Sequence, residues 1–163
     1  MRAVANSTPL IALAFIDRLS LLPAVFDEVL VSRSVYEEVA VKGGKRPGAQ
    51  EVRSADWLQV KEVSTASALP AELIGLDAGE LDTILLAREV NADWVLMDER
   101  LGRRVAQALG LRVMGTLGLL LTAHYAGLLS RQDAEDAAER LAGSAVRVSS
   151  RLLQWFKAQL TPK

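Results

Sequence analysis

The chain has 163 residues, 50% of them apolar and 24% charged, which is the composition of a single globular domain. It contains no cysteine and one histidine, His124, so disulfides, zinc–thiolate sites, thiol nucleophiles and multi-histidine metal sites are excluded. The formal net charge of −1 leaves only a local basic patch to attract nucleic acid. No run reaches the roughly 18 apolar residues that span a bilayer, and no signal peptide is predicted, so we expect a cytoplasmic protein without a membrane partner.

The N-terminal part of the chain alternates short apolar runs with helical patterns. The predicted elements are a strand at 3–5, a helix from 8 to about 18, a strand at 28–32, a helix from 34, a flexible segment at 42–48 and a strand at 57–60. Thr8 followed by Pro9 has the pattern of an N-cap with proline at the first helical position. Ser34 with Glu37 three residues later has the spacing of a capping box.

The C-terminal part continues the alternation and ends in helices. The predicted elements are a helix at 77–90, a strand at 93–97, a helix at 99–110, a strand at 111–114, and helices from 115 onward with breaks near 127–130 and 143–149. Four residues of the helix at 77–90 are predicted to share one face: Leu81, Ile84, Leu85 and Arg88. Gly110 fits a helix C-cap.

The order of these elements predicts the fold. Strands that alternate with helices, and that are apolar throughout, indicate a parallel sheet covered on both faces. The predicted fold is therefore a three-layer α/β/α sandwich with a mostly parallel central sheet. It forms a single domain over residues 1–163, with C-terminal helices from about 130.

Ligands of such folds bind at the carboxyl ends of the strands. Four polar residues are predicted at that edge: Asn6, Glu38, Glu80 and Asp98. Three carboxylates and an amide suit a hard cation such as Mg²⁺, which prefers oxygen ligands and keeps several waters. Such an ion can polarise a phosphodiester and activate water for in-line attack, so the pattern indicates metal-assisted hydrolysis.

Each of these four residues also has a purely structural interpretation. Asn6 could turn the chain at the end of its strand, and Glu38 could be a solvated helix residue. Asp77 and Glu80 have the spacing of a capping box, and Asp98 could be the N-cap of the helix at 99. Helix caps are common, so these alternatives stay open at the level of the sequence.

Helical geometry separates Glu80 from its acidic neighbour. At about 100° per residue, Glu80 and Asp82 point about 160° apart, so they cannot both face one site. Asp82 is predicted to face solvent. The choice between Glu37 and Glu38 cannot be made in this way.

Basic and aromatic residues give weaker indications. The arginines that follow Asp98 could hold phosphates or could form solvated surface: they are Arg100, Arg103 and Arg104. The scattered aromatic residues are predicted to pack rather than to stack on bases: they are Trp57, Trp94, Trp155 and Phe156. The apolar stretches at 117–129 and 151–160 must be buried in the core or against a partner.

The ordered set of motifs resembles a known family. NSTPLI (6–11), SRSVYEEV (32–39), GELDTILLA (79–87), LMDERLGRR (96–104) and VMGTLGLLL (113–121) follow one another across residues 2–160. This order resembles the PIN-domain superfamily and, more narrowly, a VapC-like branch of predicted nucleic-acid-binding proteins. The resemblance implies a ribonuclease that uses Mg²⁺ or Mn²⁺ to hydrolyse RNA phosphodiesters, and the toxin of a toxin–antitoxin pair.

The resemblance also implies roles for individual residues. The four acidic positions of the family fall on Asn6, Glu38, Glu80 and Asp98, and Glu38 matches better than Glu37 because it precedes a branched apolar residue. Ser7 or Thr8 matches the small hydroxyl residue that follows the first acid, and Glu99 is an additional acid. The implied partners are RNA, a cognate antitoxin protein and a second copy of the chain.

Asn6 departs from the family pattern, because most active members have aspartate at the matched position. An amide oxygen can ligate Mg²⁺ but brings no charge, so looser metal binding is expected. Two consequences stay open. The protein is either a slow nuclease or a PIN fold retained as a binding module for nucleic acid or protein.

Overall fold

The computed structural model describes residues 1–64, 75–144 and 146–162, and its centre is a five-stranded parallel sheet. The strands are β1 (Arg2–Ala5), β2 (Glu28–Ser32), β3 (Leu58–Lys61), β4 (Trp94–Leu96) and β5 (Val113–Met114). They lie in the order β3-β2-β1-β4-β5, and every neighbouring pair is parallel. The five predicted strands are confirmed, with ends that differ by one or two residues.

Helices connect the strands and complete the C-terminal part. They are α1 (Ser7–Phe15), α2 (Leu21–Val25), α3 (Arg33–Tyr36), α4 (Ala49–Arg53), α5 (Ala78–Glu89), α6 (Arg100–Ala108), α7 (Thr116–Tyr125), α8 (Arg131–Arg140) and α9 (Ser150–Gln159). A π-helical turn, Glu37–Val41, continues α3, and a 3-10 turn, Leu141–Gly143, follows α8. Nowhere in the described ranges is a helix long and apolar enough to cross a membrane.

The central strands are buried on both faces, which explains why their sequences are apolar throughout. Val4 and Val95 pack in one apolar cluster with residues of α5 and α6. Ala5 and Leu96, which point to the opposite face, pack with residues of α1, α2, α7, α8 and α9. Successive strand residues point to opposite faces, so the sheet separates two helical layers. The predicted three-layer sandwich is confirmed.

α1 begins one residue earlier than predicted and ends about three residues earlier. Asn6 has extended backbone (φ −82°, ψ 173°) and is the N-cap residue, so Pro9 is the third residue of the helix. Proline is tolerated there because the first N–H groups of a helix have no partner within it. The prediction of a cap at Thr8 is wrong. The hydroxyl of Thr8 donates instead to Glu99 Oε1 at 2.6 Å.

Ser32, rather than Ser34, caps α3. The Oγ atom of Ser32 accepts a hydrogen bond from the backbone N–H of Val35 at 3.2 Å. Because β2 ends directly at Ser32, this first serine takes the cap position. Ser34 donates its hydroxyl to Asp82 Oδ2 at 2.7 Å. The predicted capping box of Ser34 and Glu37 is therefore wrong.

The buried face of α5 coincides only in part with the predicted one. Its buried residues are Glu80, Thr83, Ile84, Leu86 and Ala87. Of the predicted face, Ile84 is buried, Leu81 and Leu85 are half-buried against the same apolar cluster, and Arg88 is exposed. The apolar pattern misleads because the buried face of this helix carries two polar residues, which a search for apolar periodicity assigns to solvent.

The segment at 42–48 consists of turns and bends and leads into α4, which the sequence does not predict. Gly48 has a φ of +97°, a conformation that favours glycine, directly before this helix. Arg53 fixes the end of α4 by donating to the carbonyl of Ala40 at 2.6 Å. The C-cap prediction for Gly110 is confirmed by its φ of +83°.

The C-terminal helices break where the sequence predicts. His124 on α7 connects them: its Nδ1 atom is hydrogen-bonded to the carbonyl of Leu129, and its Nε2 atom to the hydroxyl of Thr161, each at 2.8 Å. The backbone N–H of Thr161 also donates to Nε2 at 3.0 Å, so Nδ1 carries the proton. This histidine is structural.

Candidate active site

The candidate site lies where the sheet changes direction. The chain leaves β1 towards β2 on one side, and β4 lies on the other side of β1. This arrangement opens a crevice at the carboxyl ends of β1 and β4, where ligands of open parallel sheets bind. Asn6 follows β1 directly, and its backbone N–H donates to the carbonyl of Leu96 at 2.9 Å. Asp98 follows β4 by two residues. The two residues therefore come from the ends of neighbouring strands.

Three oxygen atoms converge on Gly79 in the first turn of α5. A Cβ at this position would lie 3.4 Å from Glu38 Oε2, 3.5 Å from Asn6 Oδ1 and 3.5 Å from Asp77 Oδ1. The three oxygens come from the end of β1, the π-helical turn and the N-cap of α5. The structure thus brings together two of the predicted site residues and adds Asp77 to them.

The π-helical turn decides between Glu37 and Glu38. It is Glu38 whose carboxylate reaches Gly79, although both glutamates are exposed. A π-helical turn adds a residue to the helix and changes the direction in which the following side chains point, and such turns are frequent at functional sites. Of the two glutamates, Glu38 is therefore the one whose carboxylate lies at the candidate site, in agreement with the position that the family resemblance implies.

The side chain of Glu80, on α5, lies between this helix and α6. Its side chain is 8% exposed, and a Cβ at Gly102 of α6 would lie only 2.7 Å from its Oε2 atom, so this close approach needs glycine. The pKa of Glu80 is raised to about 7, chiefly because burial disfavours the charged carboxylate. Hydrogen bonding with Asp77 and the charges of Asp77 and Glu99 act in the same direction.

Glu80 and Asp82 face different surroundings, as helical geometry predicts. Asp82 is half-buried and accepts the hydroxyl of Ser34, so it connects α5 to α3. The prediction that Asp82 simply faces solvent is wrong in this respect. The hydrogen bond from Ser34 explains the position of Asp82 without a role for Asp82 in the candidate site.

Asp98 is tied to the start of α7. Its Oδ1 atom accepts the backbone N–H of Thr116 at 2.8 Å, and its Oδ2 atom accepts the hydroxyl of the same residue at 2.7 Å. Burial raises the pKa of Asp98, an effect that the two hydrogen bonds from Thr116 oppose. The interpretation of Asp98 as the N-cap of α6 is wrong, because Glu99 occupies that position.

Asp77 and Thr116 lie at the candidate site, although no sequence pattern selects them as site residues. Asp77 was assigned only to a helix cap, and it does accept the N–H of Glu80 at 2.8 Å. The sequence pattern does not show that this cap lies at the carboxyl edge of the sheet. There the carboxylate of Asp77 can both cap α5 and line the candidate site. Thr116 lies 18 residues after Asp98, and no local pattern connects the two.

The predicted substrate-binding residues fall into two groups. Thr8 contacts Glu99, and Ser7 is the half-buried first residue of α1. Arg103 donates to the carbonyl of Met97 at 3.2 Å and, with Arg100, lines a cavity of about 890 Å³ that also reaches Asp98 and Glu99. Arg104 is exposed on the same helix, outside the lining of this cavity.

The fold and the acidic edge define a class of protein: parallel α/β domains with a carboxylate-lined crevice at the switch point of the sheet. A family model described as a PIN domain matches residues 2–161, and the chain therefore belongs to the PIN-domain family and has a nuclease-type fold. The resemblance found in the sequence is confirmed at this level, and the narrower VapC-like branch stays a prediction.

A solved structure is similar in fold. It is a PilT N-terminus domain protein from the hyperthermophilic archaeon Sulfolobus solfataricus P2, with a TM-score of 0.56 and 18% sequence identity, over 76% of this chain and 93% of that chain. No curated protein matches the chain. At this identity the likeness concerns the fold alone.

PIN domains generally use divalent metals, and the residues around Gly79 fit one. Across the described ranges, no group of three or more histidine and acidic side chains is close enough to hold a metal ion by itself. Mg²⁺ does not need such a group, because it is usually bound by one or two carboxylates and keeps several waters. Glu38, Asp77 and the amide oxygen of Asn6 supply that donor set.

The raised pKa of Glu80 gives a prediction for the metal-free protein. Between the ordinary pKa of 4.5 and about 7, the folded state binds more protons than the unfolded state, so stability falls as the pH rises through this range. Glutamine does not titrate, and Glu80→Gln is expected to gain about 1–3 kcal/mol over wild type at pH 7.5 and nothing near pH 4.

Thermal melts in EDTA between pH 4 and 8 measure this difference. Asp82→Asn, on the same helix, is the matched control and is expected to show no such pH-dependent gain. A difference between Glu80→Gln and wild type that does not change with pH would show that Glu80 is not a buried acid.

Proposed function

We propose that the protein is a ribonuclease that uses Mg²⁺ or Mn²⁺ to hydrolyse RNA phosphodiesters. The observation that carries the proposal is the convergence of Asn6, Glu38 and Asp77 oxygens on Gly79, at the switch point of a PIN-domain sheet. Glu80 and Asp98 flank this point, and the carboxyl groups of both have raised pKa values. Burial deprives these carboxyl groups of the water that would stabilise their negative charge, and a bound divalent cation would compensate that charge.

In this proposal Glu38, Asp77 and the amide of Asn6 would hold the divalent ion, and Glu80 and Asp98 would complete the negative surroundings. The ion would supply a Lewis acid for the scissile phosphate and a water molecule of lowered pKa. The hydroxyls of Ser7 and Thr8 lie beside the crevice. The arginines of α6 contribute phosphate contacts on the side of Asp98: they are Arg100, Arg103 and Arg104.

The finer part of the proposal concerns biological context. We propose that the protein is the toxin of a VapC-like toxin–antitoxin pair, acts as a homodimer and binds a cognate antitoxin. Exposed apolar side chains at the end of α7 and in the turn that follows it support a protein partner: Tyr125 and Leu128.

One observation favours a second function. Asn6 is buried at 2% exposure and supplies an amide where a nuclease of this family has a carboxylate. A weakened metal site would leave a PIN fold that binds nucleic acid or protein without cleaving it. Mn²⁺ separates the two functions, since the binding module is not expected to gain stability or activity from the ion.

The test is cleavage of a labelled single-stranded RNA with Mn²⁺ or with EDTA, together with the melting temperature under both conditions. Mn²⁺ is expected to raise the melting temperature, because a ligand that binds only the folded state stabilises it. Cleavage is expected only with Mn²⁺. Absence of both effects would contradict the nuclease and leave the binding module.

Glu80→Gln and Asp82→Asn form a matched pair for this assay. Glu80→Gln is expected to reduce cleavage or Mn²⁺ affinity by about 10-fold or more, as is usual when a residue that supports a metal site is changed. Asp82→Asn keeps an oxygen that can accept the hydroxyl of Ser34 and is expected to lose less than about two-fold. Equal losses in the two variants would show that Glu80 has no particular role in the site.

A further inference from the structure

A large cavity in the described part of the chain lies beside the acidic crevice and not within it. Its volume is about 890 Å³, and its walls are formed by the edge of the sheet at β4 and β5, by α6 and α7, and by the segment that enters α9. Asp98 and Glu99 form the end that meets the crevice. A ligand in this cavity would therefore continue directly into the candidate metal site.

The rim of this cavity is basic. Arg100 and Arg103 come from α6, and Arg147 comes from the segment before α9 on the opposite side. In a protein whose net charge is −1, three arginines around one opening form the local basic patch that the overall charge does not provide. The N–H donors of a guanidinium group lie in one plane and can bind a phosphate together. The arginines at the rim are therefore suited to binding a polyanion.

The wall of the cavity offers an aromatic surface. Trp155 on α9 is 50% exposed, so the prediction that it packs in the core is wrong, whereas Phe156, next to it, is fully buried. Trp94 lies in the opposite wall with the guanidinium of Arg112 at 4.1 Å from its ring centroid. The indole of Trp155 is thus the aromatic surface of this cavity most exposed to a ligand.

We infer that this cavity binds the single-stranded RNA next to the cleaved phosphate, with a base stacked on Trp155 and the flanking phosphates on Arg100 and Arg147. The inference rests on the proposed function for its substrate. Stacking requires a base whose face is free, which a single strand offers and a duplex does not. The volume lies within the roughly 300–1,000 Å³ of ligand pockets and accommodates individual nucleotides.

Two features favour RNA over a protein segment. The rim combines arginines with an exposed indole, which is the pairing that proteins use to bind single strands without reading a sequence. The cavity also opens onto the acidic crevice. Only a nucleic acid strand that continues from the cavity into this crevice would place a phosphate at the candidate metal site. An acidic peptide would satisfy the arginines but would make no use of this continuity.

The first measurement is the affinity of the full-length protein for a fluorescent oligoribonucleotide in EDTA, where no metal-dependent cleavage takes place. Trp155→Ala and Trp155→Leu are expected to weaken binding at least about five-fold, and Trp155→Phe less than about two-fold, because phenylalanine retains a stacking face. Leu128→Ala is the matched control, since Leu128 is 43% exposed and lies outside the cavity lining. Equal melting temperatures exclude unfolding as the cause.

The second measurement is the salt dependence of the same affinity. Arg147→Gln is expected to reduce the slope of log K against log salt by about 0.7, the value for one phosphate contact on a single strand. Arg88→Gln is the matched control for charge, because Arg88 is exposed on α5 and lies outside the cavity lining. An equal change of slope in the two variants would overturn the assignment of Arg147.

The outcomes separate this inference from the proposed function. If wild type cleaves RNA with Mn²⁺ while the Trp155 variants bind RNA as wild type does, the inference is wrong and the nuclease stands. If RNA binding depends on Trp155 but Mn²⁺ gives no cleavage, the cavity assignment stands and the nuclease is wrong. If Trp155→Leu binds as tightly as wild type and Trp155→Ala does not, the contact is apolar rather than stacked, and the cavity is a docking groove for a protein.

Discussion

Asp98→Asn is expected to reduce Mn²⁺-dependent RNA cleavage by at least about 100-fold, the upper end of losses at metal-site residues, without unfolding the protein. The fold survives because asparagine keeps both contacts with Thr116. Its oxygen can accept the backbone N–H, and its amide can donate to the hydroxyl, which also serves as an acceptor. What is lost is the negative charge beside the candidate metal site.

The stability of this variant distinguishes chemistry from structure. Burial raises the pKa of Asp98, so a neutral side chain of the same shape is expected to leave the melting temperature in EDTA equal to or above that of wild type at pH 7.5. The assay is cleavage of labelled RNA over a Mn²⁺ titration, with thermal melts of the same preparations. An Asp98→Asn protein that cleaves as fast as wild type would show that the site is assigned wrongly.

Thr116→Val is the companion variant for Asp98. It removes the hydroxyl that donates to Oδ2 and keeps the backbone N–H that donates to Oδ1. The carboxylate keeps its charge but loses one of its two fixed contacts, so a smaller loss of cleavage than in Asp98→Asn is expected. Thr116 is in this sense a positioning residue.

Asn6→Asp is expected to have opposite effects with and without metal. In EDTA the new carboxylate is buried near Glu38 and Asp77, and like charges at this distance repel each other. We expect the melting temperature of the metal-free protein to fall by roughly 3–8 °C at pH 7.5, which corresponds to about 1–3 kcal/mol in a chain of this length.

With Mn²⁺ the same carboxylate becomes a charged ligand. A charged oxygen interacts with a divalent cation more strongly than a neutral amide does, so the affinity for the ion is expected to increase. The rise in melting temperature between EDTA and saturating Mn²⁺ should therefore be larger than in wild type. Cleavage should also increase if metal binding limits the rate.

Isothermal calorimetry with Mn²⁺ and thermal melts with and without the ion measure these effects. Asn91→Asp is the control, since Asn91 is an exposed asparagine in the turn that follows α5 and precedes β4. Unchanged stability and an unchanged metal response in Asn6→Asp would place residue 6 outside the site. That result would favour the binding module over the nuclease.

Much of the fold follows from local sequence. The central strands were predictable because a strand buried on both faces is apolar almost throughout, and β3 because its half-buried and exposed residues alternate, patterns that need no tertiary information. Asn6 and Asp98 could be selected for the same reason, since a polar residue directly after such a strand lies at the edge of the sheet. The positions of these two residues at the edge of the sheet can therefore be predicted from the few residues that precede each of them in the sequence.

The errors arise where distant parts of the chain meet. The buried face of α5 carries the polar residues Glu80 and Thr83, whose burial depends on the neighbouring elements, so apolar periodicity predicts only part of this face. The contact of Asp98 with Thr116 and the approach of Glu80 to Gly102 both depend on how helices pack. Likewise, the sequence does not reveal that Trp155 is exposed while its neighbour Phe156 is buried.

The double contact between Asp98 and Thr116 has an evolutionary consequence. Because Asp98 holds the first turn of α7, selection for folding preserves an acceptor at this position whether or not the protein cleaves anything. Glu38 is exposed and makes no side-chain hydrogen bond to another part of the described chain, so under the proposed function its role in the site is what would preserve it. In a lineage that abandons catalysis, Glu38 would drift first and Asp98 last. An aspartate retained at this position in a descendant therefore says little about activity, whereas a retained Glu38 says a great deal.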